Sequence, residues 1–362
     1  MHKQRYMFIT TTLADGGAER AVSILASSIA ELGHKVCVIK YYETNDEYSV
    51  SDKVEVINLS GGCQEDYKKI TYLKKVREIR RFIKTNKPDY IIPFLFQVAL
   101  CASIAASWLK TTVIQTIRIN PALGPSSKSM RKLRDILVYR SKCTFVQNEA
   151  QKLYFPKRYH KKIHVIFNPV MDEMLSAEWH PNDDEFIVCG VGRLEGQKNF
   201  KLLIDSFCME FADIPKAVLR IYGCGSQETE LKNYIENTGL KSRIQMMGRS
   251  HEIKTVYEKA SLFVLSSDFE GMPNALIEAM AVGMPCISTD CPTGPSDLIQ
   301  NGKNGLLVPV ANAEAMADAM RSIYEGSINP YQLGAMAKTT IRELCSAKEV
   351  VKKMTDICSK LS

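Results

Sequence analysis

The chain has 362 residues, 45% of them hydrophobic and 24% charged, which suits a soluble globular protein with room for two domains that each bury a core. Its net charge of +7 hides an asymmetry: residues 1–180 hold 28 Lys and Arg against 17 Asp and Glu, a balance of +11, while the remainder holds 19 against 23, a balance of −4. A basic first half of this kind is expected to meet phospholipid headgroups, lipid diphosphates or nucleic acid. Nucleic acid is disfavoured, because no aromatic-rich basic surface or recognition motif accompanies the charge.

The eleven cysteines include no CxxC pair and no Cys/His spacing suited to zinc. Cys37, Cys189 and Cys286 lie in apolar runs where a thiol acts as a small hydrophobe, so a reducing cytoplasm without disulfides is expected. The first apolar run starts at Tyr6 and is followed by a Gly-rich loop, so no signal peptide is expected. Ile91 to Leu109 is the one stretch that approaches a membrane span, but Pro93, Gln97, Ser103 and Ser107 interrupt it and strand-then-helix fits better.

Apolar runs of strand length alternate with amphipathic helical segments from end to end, the pattern of parallel sheets covered by helices. The first unit is strand Tyr6–Thr10, loop Thr11–Gly17 and helix Ala18–Leu32. The Gly16-Gly17 pair brings bare backbone close to a ligand at a helix N-terminus. It is not the GxGxxG dinucleotide fingerprint. Strands are expected at Lys35–Tyr41, Val54–Leu59 and Tyr90–Phe94. Between the last two, residues 67–84 read as one helix with Ile70, Leu73, Val76, Phe82 and Ile83 on or near one face. Lys68, Lys69, Lys74, Lys75, Arg77, Arg80, Arg81 and Lys84 lie opposite. Such a helix is a solvated surface element or one that rests on an anionic membrane or a lipid-linked diphosphate. A strand Thr112–Thr116 ends in Ile117-Arg118-Ile119-Asn120-Pro121, and residues 126–140 form a second basic helix. Short strands at Phe145–Asn148 and Val165–Val170 close the first domain, and Asp172–Asp184 reads as the linker.

The second domain opens with strand Phe186–Gly190 and the loop Gly192-Arg193-Leu194-Glu195-Gly196-Gln197-Lys198-Asn199 ahead of helix Phe200–Phe211. Two cations on a strand-end loop before a helix N-terminus make a diphosphate clamp: Arg193 supplies a planar fork, Lys198 a point charge and the helix dipole the rest. Strand Ala217–Tyr222 runs into Gly223-Cys224-Gly225, and strand Ile244–Met247 into Gly248-Arg249-Ser250-His251, where His251 reads as structural. The strand Leu262–Leu265 then leads through a Gly- and Pro-bearing loop to a helix near Asn274, which puts Glu270 at a strand's C-terminal end. Glu278 follows among Ala275, Leu276, Ile277, Ala279, Met280, Ala281 and Val282, so a carboxylate there needs hydrogen-bond partners and a ligand role is favoured. Strand Leu306–Pro309 and helices Ala313–Glu325, Tyr331–Leu344 and Lys348–Leu361 complete the chain.

Glu270 and Glu278, followed by Gly283, Pro285 and Gly294-Pro295, resemble the glutamate motif of glycosyltransferase family 4. The likeness continues at Gly192-Arg193-Leu194 with Gln197-Lys198-Asn199, at Gly223-Cys224-Gly225, at Asn168-Pro169 and at Gly16 to Arg20. It implies an α/β GT-B fold, two Rossmann-like doubly wound domains facing each other across a cleft. The boundaries expected are 1–180 for the acceptor-binding domain, 181–345 for the nucleotide-sugar domain and 346–362 for a last helix crossing back to the first. It implies a retaining transferase for a hexose or N-acetylhexosamine, with a nucleotide-diphosphate sugar as co-substrate, UDP-sugar foremost, and a lipid-linked or surface-glycan acceptor.

By that resemblance Gly17 lies by the donor phosphates and sugar, and Gly192 and Gly223 beside the nucleotide. Arg249 lies in the loop against the nucleobase, and Arg118 and Asn120 face the acceptor. Relatives often carry His or Glu near Arg118, so no acid–base helper is assigned. Glu270, Arg193 and Lys198 are the catalytic candidates. Gly271, Met272, Pro273 and Asn274 face the sugar and phosphates, and Glu278 takes the ribose hydroxyls. No DxD motif is present, and neither a metal nor a separate cofactor is expected. Contact with the inner face of the plasma membrane is expected through helices 67–84 and 126–140. The competing readings are an epimerase or hydrolase that consumes the donor with no acceptor, and a non-catalytic nucleotide-sugar scaffold.

Overall fold

The computed structural model describes residues 3–14, 16–68, 70–250 and 252–361, so Lys69 and His251 lie outside it. The chain divides into two compact units. Unit 1 runs to Pro169 and takes up the chain again from Ala347, and unit 2 is Val170–Ser346.

Unit 1 holds a five-stranded parallel sheet of β1 (Arg5–Thr10), β2 (Lys35–Lys40), β3 (Val54–Asn58), β4 (Tyr90–Pro93) and β5 (Thr112–Val113), in the order β3-β2-β1-β4-β5. A second parallel sheet has β6 (Gln115–Ile117), β7 (Thr144–Val146) and β8 (Ile163–Val165) in sequence order. The run expected as one strand from Thr112 is therefore two. Ile114 still donates to the Ile91 carbonyl, whereas Gln115 turns to the Cys143 carbonyl, and the chain changes sheet there.

Unit 2 is one six-stranded parallel sheet of β9 (Phe186–Val191), β10 (Ala217–Tyr222), β11 (Ile244–Gly248), β12 (Leu262–Leu265), β13 (Cys286–Thr289) and β14 (Leu306–Val308). Its order is β11-β10-β9-β12-β13-β14. Leu262 to Leu265 and Cys286 to Thr289 are buried throughout, because helices cover both faces of a parallel sheet and select continuous apolar runs. In each unit the strand order reverses beside the first strand, between β1 and β4 and between β9 and β12. Loops leaving the C-terminal ends at such a reversal splay apart and leave room for a ligand.

Three sequence expectations need correction. The basic helix over 67–84 is two helices, Gln64–Lys68 and Tyr72–Asn86, because Thr71 takes an extended conformation and its side chain caps the second by accepting from the Lys74 amide. Its apolar face is narrower than expected: Ile79 and Ile83 are buried, while Leu73 is 80% exposed. The polar stretch Asp172–Asp184 is no free linker. It contains helix Asp172–Ser176, Trp179 Nε1 donates to the Ala260 carbonyl (2.7 Å), and the amides of His180 and Asn182 bond the carbonyls of Glu258 and Lys259 (both 3.0 Å). These bonds tie it to unit 2, so the division falls at Pro169 and not near residue 180.

The last helix, Ala347–Ser359, belongs to unit 1. Its Val350, Val351, Met354 and Cys358 enter the core formed by Tyr6, Phe8, Tyr90 and Ile92, and Tyr90 Oη donates to the Cys358 carbonyl at 2.6 Å. All eleven cysteines are free. Burial pushes the Cys37 thiol up to about 12, as suits a small hydrophobe. Among the described residues no helix is long and apolar enough to cross a membrane.

Because Met354 is fully enclosed in that core, Met354→Ala is expected to cost about 2–5 kcal/mol of unit 1 stability through the cavity it leaves. A urea midpoint indistinguishable from wild type would show that the helix adds no packing to the core.

Candidate active site

In unit 2 the loops that leave β9, β10, β11 and β12 converge through their backbones. The Gly192 amide donates to the Tyr222 carbonyl (3.0 Å), Leu194 to Cys224 (3.0 Å) and Gly223 to Gly248 (2.8 Å). Gly223 has φ +140°, and a Cβ there would stand inside the Gly192 carbonyl, so only glycine allows the two loops to touch. Arg249 is exposed beside them, its Nη2 3.6 Å from Cys224 Sγ. Ser226 Oγ donates to Glu195 at 2.8 Å, and that hydrogen bond holds the Glu195 carboxyl below its ordinary range. Gly192, Gly223 and Arg249 therefore sit on one stitched floor.

On this floor the central contact is Lys198 Nζ to Glu270 Oε1, 2.6 Å. Glu270 is 6% exposed; two further side chains reach its carboxylate and a third holds its backbone. Ser267 Oγ donates to Oε1 (2.7 Å), Gln197 Nε2 approaches Oε2 (3.5 Å), and Thr293 Oγ1 donates to the Glu270 carbonyl. Gln197 also donates to the Phe269 carbonyl (2.8 Å), and Asn199 Nδ2 to Asp268 Oδ1 (2.8 Å). Asn199 has φ +43° and caps helix Phe200–Phe211 by accepting from the Leu202 amide. Each residue of Gln197-Lys198-Asn199 thus grips the loop after β12. The nearby Cys291 thiol is pushed up to about 12, first by burial and then by the Glu270 carboxylate.

Arg193 is exposed, and no hydrogen bond or ion pair among the described residues engages its side chain. The two cations of the expected clamp are therefore unequal: the Arg193 guanidinium is open to an incoming anion, whereas the Lys198 ammonium already has a carboxylate. Beyond Gly271, Met272 and Pro273 are buried and helix Asn274–Val282 begins without a side-chain cap. Glu278 on this helix is 6% exposed and accepts from Tyr257 Oη at 3.4 Å. Among the described residues no cluster of three His, Cys, Asp or Glu is arranged to hold a metal.

In unit 1 the corresponding rim carries Gly17, the first residue of helix Gly17–Glu31, with Gly16 as its extended cap. The buried Glu19 carboxylate fills the space where a Gly16 Cβ would stand. Arg118 follows β6, stacks 4.6 Å over the Phe94 ring and donates from Nη2 to Asn168 Oδ1, which also accepts from Gln147 Nε2 (3.0 Å). Its Nε is sealed off with no hydrogen-bond partner. Burial lowers the guanidinium to about 10, against the raising effect of Glu19, so it stays charged at neutral pH. Asn120 serves the loop itself: its Oδ1 accepts from the Ala122 amide at 3.0 Å.

The basic helices are only partly basic at the surface, which corrects the expected division of faces. Arg80 turns inward to the carbonyls of Ala105 and Ser107 (both 2.8 Å). Arg134 is buried against the carbonyls of Pro121 and Gly124 and paired with Asp135, and Arg131 binds the carbonyls of Pro125 (2.8 Å) and Ser126 (2.7 Å). The sequence reading missed Ser267, Asp268 and Thr293 around Glu270, and Glu19 beside Arg118. Only the polar run Ser266-Ser267-Asp268 before Glu270 offered a signal.

Two family models match the chain: Glycosyltransferase Family 4 over residues 15–173 and Glycosyl transferases group 1 over residues 172–340. A Campylobacter jejuni relative, GalNAc-alpha-(1->4)-GalNAc-alpha-(1->3)-diNAcBac-PP-undecaprenol alpha-1,4-N-acetyl-D-galactosaminyltransferase, is 30% identical over 87% of this chain and 88% of its own. A Salmonella typhimurium lipopolysaccharide 1,6-galactosyltransferase is 25% identical over 86% of this chain and 87% of its own. Among solved structures, Anabaena HepE in complex with UDP-glucose superposes with a TM-score of 0.80 at 16% identity, covering 99% of this chain and 100% of that one. These likenesses place both units in the α/β GT-B fold.

Removing one member of the buried pair strands the other. Lys198→Ala is expected to destabilise unit 2 by about 3–5 kcal/mol, and Lys198→Met with Glu270→Leu together by much less. Additive losses in urea unfolding would show that the two charges do not support each other.

Proposed function

The chain belongs to glycosyltransferase family 4, and on that premise we propose that it is a retaining, metal-independent transferase. It moves a hexose or N-acetylhexosamine from a UDP-sugar to a hydroxyl of a lipid-linked or surface-glycan acceptor. The observation that carries this reading is the buried Lys198–Glu270 pair at the point where the sheet order reverses. The Campylobacter relative's undecaprenol-diphosphate glycan and the UDP-glucose of the Anabaena structure support the choice of acceptor and donor class.

Breaking the anomeric bond leaves negative charge on the nucleotide diphosphate, and stabilising that charge is the largest catalytic task. The open guanidinium of Arg193 takes the diphosphate as a fork, and Lys198 adds charge while it remains tied to Glu270. Peptide dipoles at the start of helix Asn274–Val282 favour an anion at the same place. Glu270, held by Ser267, Gln197 and Lys198 in one rotamer, accepts hydrogen bonds from the sugar hydroxyls and so fixes the anomeric carbon. It is not assigned as a covalent nucleophile, since the resemblance favours a same-face substitution that needs none. The leaving phosphate receives the acceptor's proton in a same-face substitution. Glu278 accepts from the ribose hydroxyls, and Gly17, Arg118 and Asn120 serve the substrate side of unit 1. The enzyme works in the cytoplasm against the inner face of the plasma membrane, touching anionic lipid through the basic helices of residues 67–84 and 126–140.

A screen of UDP-sugars against undecaprenyl-diphosphate glycans, with NMR of the product's anomeric proton, tests this directly. An α-linked product from an α-linked donor is expected, with turnover unchanged by EDTA. Donor consumption at the same rate without acceptor would instead mark a hydrolase or epimerase. Glu278→Gln is expected to lower kcat/KM for the donor about 10- to 100-fold. Wild-type turnover in that variant would remove Glu278 from the binding site.

A further inference from the structure

Trp108 is 97% exposed, more than any other large hydrophobic side chain among the described residues, and its backbone is left-handed at φ +61°. Outside glycine that conformation costs about 1–2 kcal/mol, and a ring that touches nothing returns no packing energy. The turn that carries it is firmly built. Ser107 donates to the Ile104 carbonyl (3.2 Å) and Leu109 to Ala106 (3.0 Å), so the indole is held outward on a closed turn after helix Phe96–Ala105. The fold itself gives no reason for such a residue.

Its neighbours supply one. Arg80 reaches from helix Tyr72–Asn86 to the carbonyls of Ala105 and Ser107, which sets that helix beside the turn. Leu73, Arg77 and Lys84 share the stripe of Arg80 at spacings of three and four. All three are exposed, Leu73 at 80%, and so are Ile104 at 44% and Lys110. Glu78, the carboxylate of that helix, is off the stripe and paired with Arg81 at 2.8 Å. The patch thus alternates apolar rings and branches with unopposed cations. A second copy of the chain would bring like charges together, whereas an anionic bilayer answers both components. Indole favours the headgroup level, and each cation close to such a surface adds about 1 kcal/mol.

We propose that the Trp108 turn, with Leu73 and Ile104, is a membrane anchor that inserts into the interface of an anionic bilayer. This rests on the membrane contact in the proposed function and names the residues that make it, but its test reads lipid binding and not sugar transfer. The chain has two tryptophans, and the other, Trp179, lies in unit 2 with its Nε1 bonded to a carbonyl. With phosphatidylglycerol–phosphatidylcholine vesicles the wild-type emission should shift to the blue and be quenched by brominated lipid. W108F should lose both changes, and W108A should partition about tenfold or more weakly with an unchanged thermal midpoint. Four results would overturn the anchor: W108A binding like wild type, vesicle-bound protein with unshifted emission, no binding by wild type, or a dimer in sedimentation that W108A dissolves. Binding abolished by Arg77→Glu with Lys84→Glu but untouched by W108A would leave the basic helices as the contact and remove Trp108 from it.

Discussion

The Lys198–Glu270 pair is the contact on which the rest of unit 2's functional rim depends. Both charges are largely withdrawn from water, which is tolerable only when each remaining lone pair and proton has a partner. Ser267 and Gln197 supply partners to the carboxylate and Thr293 holds the Glu270 backbone, and together they connect the loop after β9, the loop after β12 and the loop after β13. A set of loops that would otherwise fray at the sheet edge becomes a fixed frame. Rigid placement is what a reaction governed by leaving-group charge requires, since a misdirected dipole stabilises nothing.

The same economy holds for backbone. Gly223 lets two loops meet through their peptide groups, and the resulting floor leaves the guanidinium groups of Arg193 and Arg249 exposed. Unit 1 follows a different plan. Its half-buried Arg118 is held flat by Phe94 and Asn168 with one nitrogen sealed and unbonded. Arginines elsewhere in that unit, such as Arg80, Arg131 and Arg134, are satisfied by main-chain carbonyls and act as braces.

Much of this was legible in the sequence where the signal is local. Leu262–Leu265, Ala217–Tyr222 and Phe200–Phe211 are apolar or amphipathic runs with clear ends, and the structure keeps those limits. The pairing of Lys198 with Glu270 spans 72 positions and that of Arg118 with Asn168 spans 50, so neither follows from spacing. The change of sheet at Ile114 was hidden because Thr112 to Ile117 is one β-branched-rich run with no turn residue in it. The break at Thr71 was hidden because a threonine between basic residues reads as a helix surface until its side chain is seen to accept the Lys74 amide. Asp172–Asp184 looks like a linker by composition, but the main chain of His180 and Asn182 and the indole of Trp179 bond it to unit 2.

The return of the chain to unit 1 at Ala347 bears on how the protein is made. Unit 2 is contiguous and can close as soon as Ser346 has cleared the ribosome. Unit 1 is begun first but lacks Val350, Val351, Met354 and Cys358 from its core until the chain has been made past them. Of the two units, the one begun first is therefore completed second, and until then its core lies open beside Tyr6 and Tyr90.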